Sequence, residues 1–265
     1  MKTNHDIDYQ IFGEEMQYVE VELDTNESAI AEPGAFMMMD DGIQMQTIFG
    51  DGSKQQNDGL LGKLFGAGKR LLTGENLFMT AFTNIGHGKK QVSFASPYPG
   101  KIIPLDLFQL GGKIICQKDS FLCAAKGVSV GIEFQRKLGT GLFGGEGFIM
   151  QKLEGDGMAF MHAGGHVQER ILQTGEILKI DTGCIVGFTS GVDYDIQFIG
   201  GIKNSIFGGE GLFFASLRGP GKVWIQSLPV SRLAGRILQY ATTNRREEGS
   251  VLGGIGNLLD GDGWR

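Results

Sequence analysis

The sequence predicts an all-β fold of three related β-repeats, a β-sandwich or double-stranded β-helix-like barrel with a short C-terminal helix. Three observations carry that reading: apolar and polar residues alternate with period two, turn residues punctuate the chain at short intervals, and one phrase is written more than once. Residues 141–157 read GLFGGEGFIMQKLEGDG and residues 205–221 read SIFGGEGLFFASLRGPG, with a weaker copy, LLTGENLFMTAFTNIG, at 71–86.

The strands can be taken in order. In QYVEVEL (17–23), Tyr18, Glu20 and Glu22 lie on one face and Val19, Val21 and Leu23 on the other. A half-buried strand has this pattern. The same reading suits VSFAS (92–96), GKIICQ (112–117), VSVGIEF (128–134), ILKI (177–180), VDYDIQF (192–198) and KVWIQSL (222–228). Turn signals fall between them at Pro33-Gly34, Pro99-Gly100, Gly111-Gly112, Gly164-Gly165 and Gly219-Pro220-Gly221. Glycine fills 44 of 265 positions, far above the usual share of about 7%. There is no collagen-type triplet, so tight turns and close backbone approaches are the expected use.

The repetition extends beyond the opening phrase. Residues 109–134 and 173–198 share a Gly turn, an alternating strand, an Asp-centred turn, an apolar strand and a closing strand that ends in Phe. Residues 21–37 have a related rhythm, in which Asp24-Thr25 answers Asp181-Thr182. The expected organisation is one domain over 1–243, built of repeats at 7–90, 91–155 and 156–228. Units that cannot close a core alone do so by packing together. Glu75, Glu146 and Glu210 each precede an apolar run. The structural reading has them accept backbone N–H groups at strand starts; the functional one has them converge on a cation.

VSRLAGRILQYA (230–241) has Leu233, Ile237 and Tyr240-Ala241 at helical spacing, with Ser231 as N-cap. It reads as a helix packed on a sheet, followed by a flexible tail over 244–265. GLLGKLFGAGKRLL (59–72) is apolar, glycine-rich and cationic. It is either a loop tucked against a neighbour or an interfacial segment touching a membrane or partner through Leu60, Leu61, Phe65, Lys69 and Arg70.

Composition excludes several functions. A net charge of −6, a pI near 5.3 and no dense Lys/Arg run argue against nucleic acid as a partner. Three cysteines without CxxC spacing suit neither a disulfide framework nor a zinc knuckle. The polar start MKTNHDIDYQ shows no signal peptide. A cytoplasmic protein is expected, peripheral to the membrane if residues 59–72 touch lipid.

Motifs that promise chemistry fail on context. Gly127-Val128-Ser129-Val130-Gly131 matches a nucleophile elbow, but its flanks continue as a strand where that chemistry needs a helix. Gly139-Thr140-Gly141-Leu142-Phe143-Gly144 matches a dinucleotide fingerprint and likewise lacks the following helix. His162 and His166 are four apart with Gly164-Gly165 between them, which predicts a hairpin. Its ends could meet on a metal with Glu169, though two ordinary turn histidines are the plainer reading.

The stretch KRLLTGENLFMTAF (69–82), together with GLFGGEGFIMQKLEGDGMAFMHAGG (141–165), resembles the signature of the altered inheritance of mitochondria protein twenty-four family. The similarity covers residues 7–243. It implies a fold similar to that of the trp RNA-binding attenuation protein, and no established catalytic residues or cofactor.

The expected function is that of a non-catalytic scaffold or interaction protein, homo-oligomeric and without a cofactor. The alternative is a small-molecule or metal-binding β-barrel, with Glu75, Glu146, Glu210, His162 and His166 as candidate ligands. An enzyme using Ser129 or the histidine pair ranks last.

Overall fold

The computed structural model describes residues 4–49, 78–136, 148–199, 212–238 and 240. In chain order the strands are β1 (Asp8–Phe12), β2 (Tyr18–Leu23), β3 (Ser28–Ala31), β4 (Phe36–Met39), β5 (Ile43–Phe49), β6 (Phe78–Asn84) and β7 (Lys90–Ala95). Next come β8 (Gly100–Asp106), β9 (Lys113–Gln117), β10 (Phe121–Ala125), β11 (Ser129–Arg136), β12 (Phe148–Glu154) and β13 (Met158–Gly164). The last are β14 (Val167–Leu172), β15 (Ile177–Asp181), β16 (Ile185–Thr189), β17 (Asp193–Ile199), β18 (Leu212–Arg218) and β19 (Gly221–Gln226). A helix, α1, follows over 230–238.

Each alternating run named from the sequence lies in a strand. In β2 the alternation is read out directly: Val19, Val21 and Leu23 are buried and the residues between them are half-buried.

Four antiparallel sheets result. Their orders are β1-β2-β7-β4, β5-β6-β3-β10-β13-β8, β11-β12-β9-β16-β19-β14 and β15-β18-β17. No sheet closes on itself among the described residues, which corrects the barrel part of the expectation. The architecture is instead a succession of sandwiches, because each six-stranded sheet is apolar on both faces.

The pairing explains why. Three sets of six strands, β2–β7, β8–β13 and β14–β19, have the same internal hydrogen-bond pattern. In each set the sixth strand pairs with the first and third, and the fifth with the second and fourth (β7 with β2 and β4; β13 with β8 and β10; β19 with β14 and β16). Each set is a two-layer sandwich with its own core. Val21, Phe82, Val92 and Phe94 fill the first; Leu105, Ile114, Met161 and Leu153 the second; Leu172, Phe188, Leu217 and Val223 the third. Neighbouring sets share a sheet where β3 pairs with β10 and β9 with β16.

The turns repeat too, though in a different register from the one the sequence suggests. The Asp24 N–H donates to Glu27 Oε2 at 2.8 Å, and the Gln173 N–H donates to Glu176 Oε2 at 2.9 Å. Asn26 and Gly175 both take positive φ, 70° and 78°, in these turns. Asp24-Thr25 therefore answers Gln173-Thr174. Asp181-Thr182 begins the next turn along, where the Asp181 carboxylate accepts from the Gly183 N–H at 2.8 Å.

Three long-range contacts fix the chain's path. Asn4 and Asp156 exchange two hydrogen bonds of 2.9 and 2.8 Å, which ties the N-terminal segment to the β12–β13 turn. Buried Asn84 donates to the carbonyls of Leu23 and Gly88. At Gly164 the chain passes so close to Leu228 that a Cβ would overlap its carbonyl oxygen. Only glycine fits there.

The C-terminal helix departs from its predicted packing. Pro229 precedes it and its carbonyl accepts from the N–H groups of Arg232 and Leu233, so Ser231 lies inside the helix and does not cap it. Ile237, Leu238 and Tyr240 are 60%, 63% and 75% exposed. The spacing of a helical stripe does not supply a surface to bury it on.

Candidate functional site

Most of the residues singled out from the sequence lie outside the described residues. These are Glu75, Glu146 and Glu210, the segment holding Leu60, Leu61, Phe65, Lys69 and Arg70, and the tail from 244 onward. Ser129 opens β11 and pairs with Glu154 of β12, so it stands in a ladder with no helix after it. That context removes the nucleophile-elbow geometry.

His162 and His166 are placed apart. His162 belongs to β13 and is buried; His166 lies in the turn after it and is exposed. The chain does not double back as a hairpin here: β13 pairs with β8 and β10, whereas β14 pairs with β19 in a different sheet. Gly164 and Gly165 carry the chain across from one sheet to the next. Glu169 is also occupied, accepting from Trp224 Nε1 at 2.9 Å and pairing with Lys222 at 3.1 Å. Among the described residues, no group of three or more His, Cys, Asp or Glu side chains could hold a metal ion.

What His162 does is visible in its counterpart. Met161 and Ile225 pair with Phe121 and Ile185, the first residues of matching bulges, and the next residues along are His162 and Gln226. Gln226 Nε2 donates to the Gly183 carbonyl at 2.8 Å, and its Oε1 accepts from the Gly164 N–H at 2.8 Å. His162 hydrogen-bonds the Asp119 backbone, which occupies the same turn one unit earlier. Its Nδ1 lies 3.4 Å from Ser96 Oγ, and the Tyr98 ring meets it edge-on at 4.6 Å. Burial lowers its pKa to about 4, so the ring is neutral near pH 7. Both side chains brace a turn against a strand end.

Two features were missed by sequence reasoning. The first is a polar pair, half-buried Glu32 and buried Gln151. Burial pushes the Glu32 carboxyl up to about 7, with the Asp119 charge adding to the effect. Beside it the Gln151 amide is wholly buried, and among the described residues neither its Nε2 nor its Oε1 makes a well-formed hydrogen bond. Gln151 still favours the charged form of Glu32; the two are within electrostatic reach but out of alignment. Glu32 follows an apolar strand directly and Gln151 interrupts the apolar run FIMQKL, but neither fact shows in one dimension that they meet.

The second feature is an uncovered edge. Phe36, Met37, Met38 and Met39 make up β4, and all four are exposed, at 40%, 48%, 44% and 38%. Among the described residues, strand β4 pairs on one side only, with β7. Among the described residues β15 likewise pairs only with β18, and Ile177 on it is 51% exposed. Exposed strand edges are usually shortened, charged or covered, and four large apolar residues in a row on one are unusual. No helix among the described residues is long and apolar enough to cross a membrane.

Comparison with known proteins agrees with this fold. An uncharacterised protein of Streptococcus pyogenes serotype M6 is 31% identical over 230 residues, spanning 85% of this chain and 87% of the relative. The crystal structure of a Streptococcus pyogenes protein, solved in a structural genomics programme, superposes with a TM-score of 0.68 at 25% identity. That likeness covers 88% of this chain and 99% of the solved one. The profile of the mitochondrial biogenesis AIM24 family matches residues 9–228, and the chain belongs to that family.

Proposed function

We propose that this chain is a non-catalytic interaction protein that works by assembling with other chains through exposed β-structure. One observation carries the reading: β4 offers four exposed apolar residues along an edge that has no partner strand among the described residues. Such an edge supplies backbone hydrogen bonds and side-chain pockets to an incoming strand. The acidic net charge of −6 favours protein partners over phosphate backbones. A peripheral membrane contact through Leu60, Leu61, Phe65, Lys69 and Arg70 belongs to the same reading, drawn from the cationic, apolar sequence of residues 59–72.

Native mass spectrometry of the freshly purified chain, with elemental analysis of the same sample, tests this. A discrete oligomer or a retained partner, free of metal and small molecule, supports it. A bare monomer that captures no partner and does not sediment with anionic vesicles overturns it.

A second reading, small-molecule binding, has its own observation in the orphaned Gln151 amide beside Glu32. Buried polar groups are normally satisfied. A stoichiometric small molecule in the native spectrum, lost in Gln151→Leu, would establish it.

A further inference from the structure

The two end sheets of the molecule are halves of a sheet that its middle builds twice. Each six-stranded sheet takes three strands from one unit and three from the next: β5-β6-β3 then β10-β13-β8, and β11-β12-β9 then β16-β19-β14. Both junctions are antiparallel, between the second strand of one unit and the third strand of the next. At the first, Ala31, Ile30 and Ala29 stand opposite Cys123, Ala124 and Ala125. At the other, Cys116, Ile115 and Ile114 stand opposite Gly187, Phe188 and Thr189.

Strand β15 is the second strand of the last unit, and β4 is the third strand of the first. Each therefore carries one half of a third such junction, and among the described residues each is a free edge. Burial marks the difference. β10 is buried throughout, β16 at four of five positions and β4 at none. Among the described residues of one chain the two edges do not meet. In stacking order, three apolar cores and two six-stranded sheets stand between the β4 sheet and the β15 sheet.

We propose that β4 of one copy pairs with β15 of a second copy, head to tail, completing a third sheet of order β17-β18-β15-β4-β7-β2-β1. This rests on the interaction-protein reading above and names its partner as the chain itself. The register follows from matching bulges, Phe121/Cys123, Ile185/Gly187 and Phe36/Met38. It sets Met38 opposite Ile180, Met39 opposite Lys179 and Asp40 opposite Leu178. Unbranched methionines suit a surface that must repack on association.

Lys179 departs from the pattern, standing where Ile30 and Ile115 stand in the closed junctions. A lysine on a free edge discourages indiscriminate pairing. In this register Asp41 lies on its diagonal, near enough for an opposite-charge pair. The junction is heterologous, so repetition gives a ring if the rotation closes and a filament if it does not.

Cysteine pairing tests the register. Directly opposed residues have Cα atoms about 4.5–5.5 Å apart, within disulfide reach. In a Cys184→Ser background, Met39→Cys and Lys179→Cys chains are refolded together and oxidised. The expected product is a covalent dimer that neither variant forms alone. The double variant should give a ladder whose longest member counts the copies in a ring. Met38→Lys should reduce the native mass to that of one chain with an unchanged circular dichroism spectrum.

A disulfide formed within one chain of the double variant overturns the proposal. So does a discrete oligomer that gives no cross-link; that outcome leaves the broader interaction reading standing with a different interface. A monomer with neither cross-link nor captured partner overturns both.

Discussion

Gln226 Nε2 donates to the carbonyl oxygen of Gly183 at 2.8 Å while its Oε1 accepts from the Gly164 N–H, also at 2.8 Å, so one buried amide ties the turn at Gly183 and the end of β13 to the end of β19. All four hydrogen-bonding atoms belong to backbone and side chain that water does not reach. Gln226→Leu leaves the Gly164 N–H and the Gly183 carbonyl unpaired. A loss of about 2–4 kcal/mol follows, at about 1–3 kcal/mol per orphaned group with partial relaxation. Urea unfolding would show it as a lower midpoint at constant slope.

His162 and Glu32 make opposing contributions to the pH dependence of stability. The His162 pKa falls from 6.5 to about 4 on folding. The unfolded chain therefore binds the extra proton between those values, and stability rises with pH through that window. Glu32 moves the other way, from 4.5 to about 7. The folded chain holds its proton there, and stability falls as pH rises through that range. Each shift corresponds to up to about 3 kcal/mol at 1.36 kcal/mol per pH unit. The two offset each other from pH 5 to 6. Glu32→Gln should leave a melting temperature that climbs from pH 4 to 6.5, and His162→Gln one that declines from pH 4.5 to 7.

Thiol reactivity should sort the three cysteines by burial. Cys116 and Cys123 are wholly buried, and burial drives both thiols well above their ordinary pKa. Cys184 is half-buried, also raised by burial, with Arg232 at 3.7 Å pulling the other way. The thiolate is the reactive form. Titration with a disulfide reagent should modify Cys184 alone in the native chain and all three in denaturant.

Gly164→Ala should be among the most damaging single substitutions, because its methyl would overlap the Leu228 carbonyl oxygen, and backbone cannot step aside. A loss of more than about 3 kcal/mol, or insoluble expression, is the expected outcome for overpacking against backbone. Gly34→Ala meets nothing within 4 Å. It should cost less, and only through its positive φ of 90°.

The sequence alone determined the strands. Period two in residues 17–23 leaves a chain little choice, since the apolar face must be buried, and Val19, Val21 and Leu23 are buried in β2; residues 222–226 show a strand but not its faces, because their sheet is covered on both sides and Trp224 and Gln226 are buried along with Val223. Local chemistry also placed the turns, because glycine at positive φ is a property of single residues. What lay beyond local reading was every choice of partner. His162 and His166 are four residues apart in the sequence, yet His162 is buried in β13 and His166 is exposed in the turn after it. The helix stripe at Ile237 was legible, though nothing local says whether a sheet lies beneath it. Glu32 and Gln151 are more than a hundred residues apart in the chain, and only the packing of shared sheets brings them together. The tertiary structure likewise decided that β10 and β16 are covered while β4 is bare, for strands in equivalent places. A strand's sequence fixes which face is apolar; which edge finds a partner depends on how many units the chain supplies, and among the described residues the first and last are each left with one edge open.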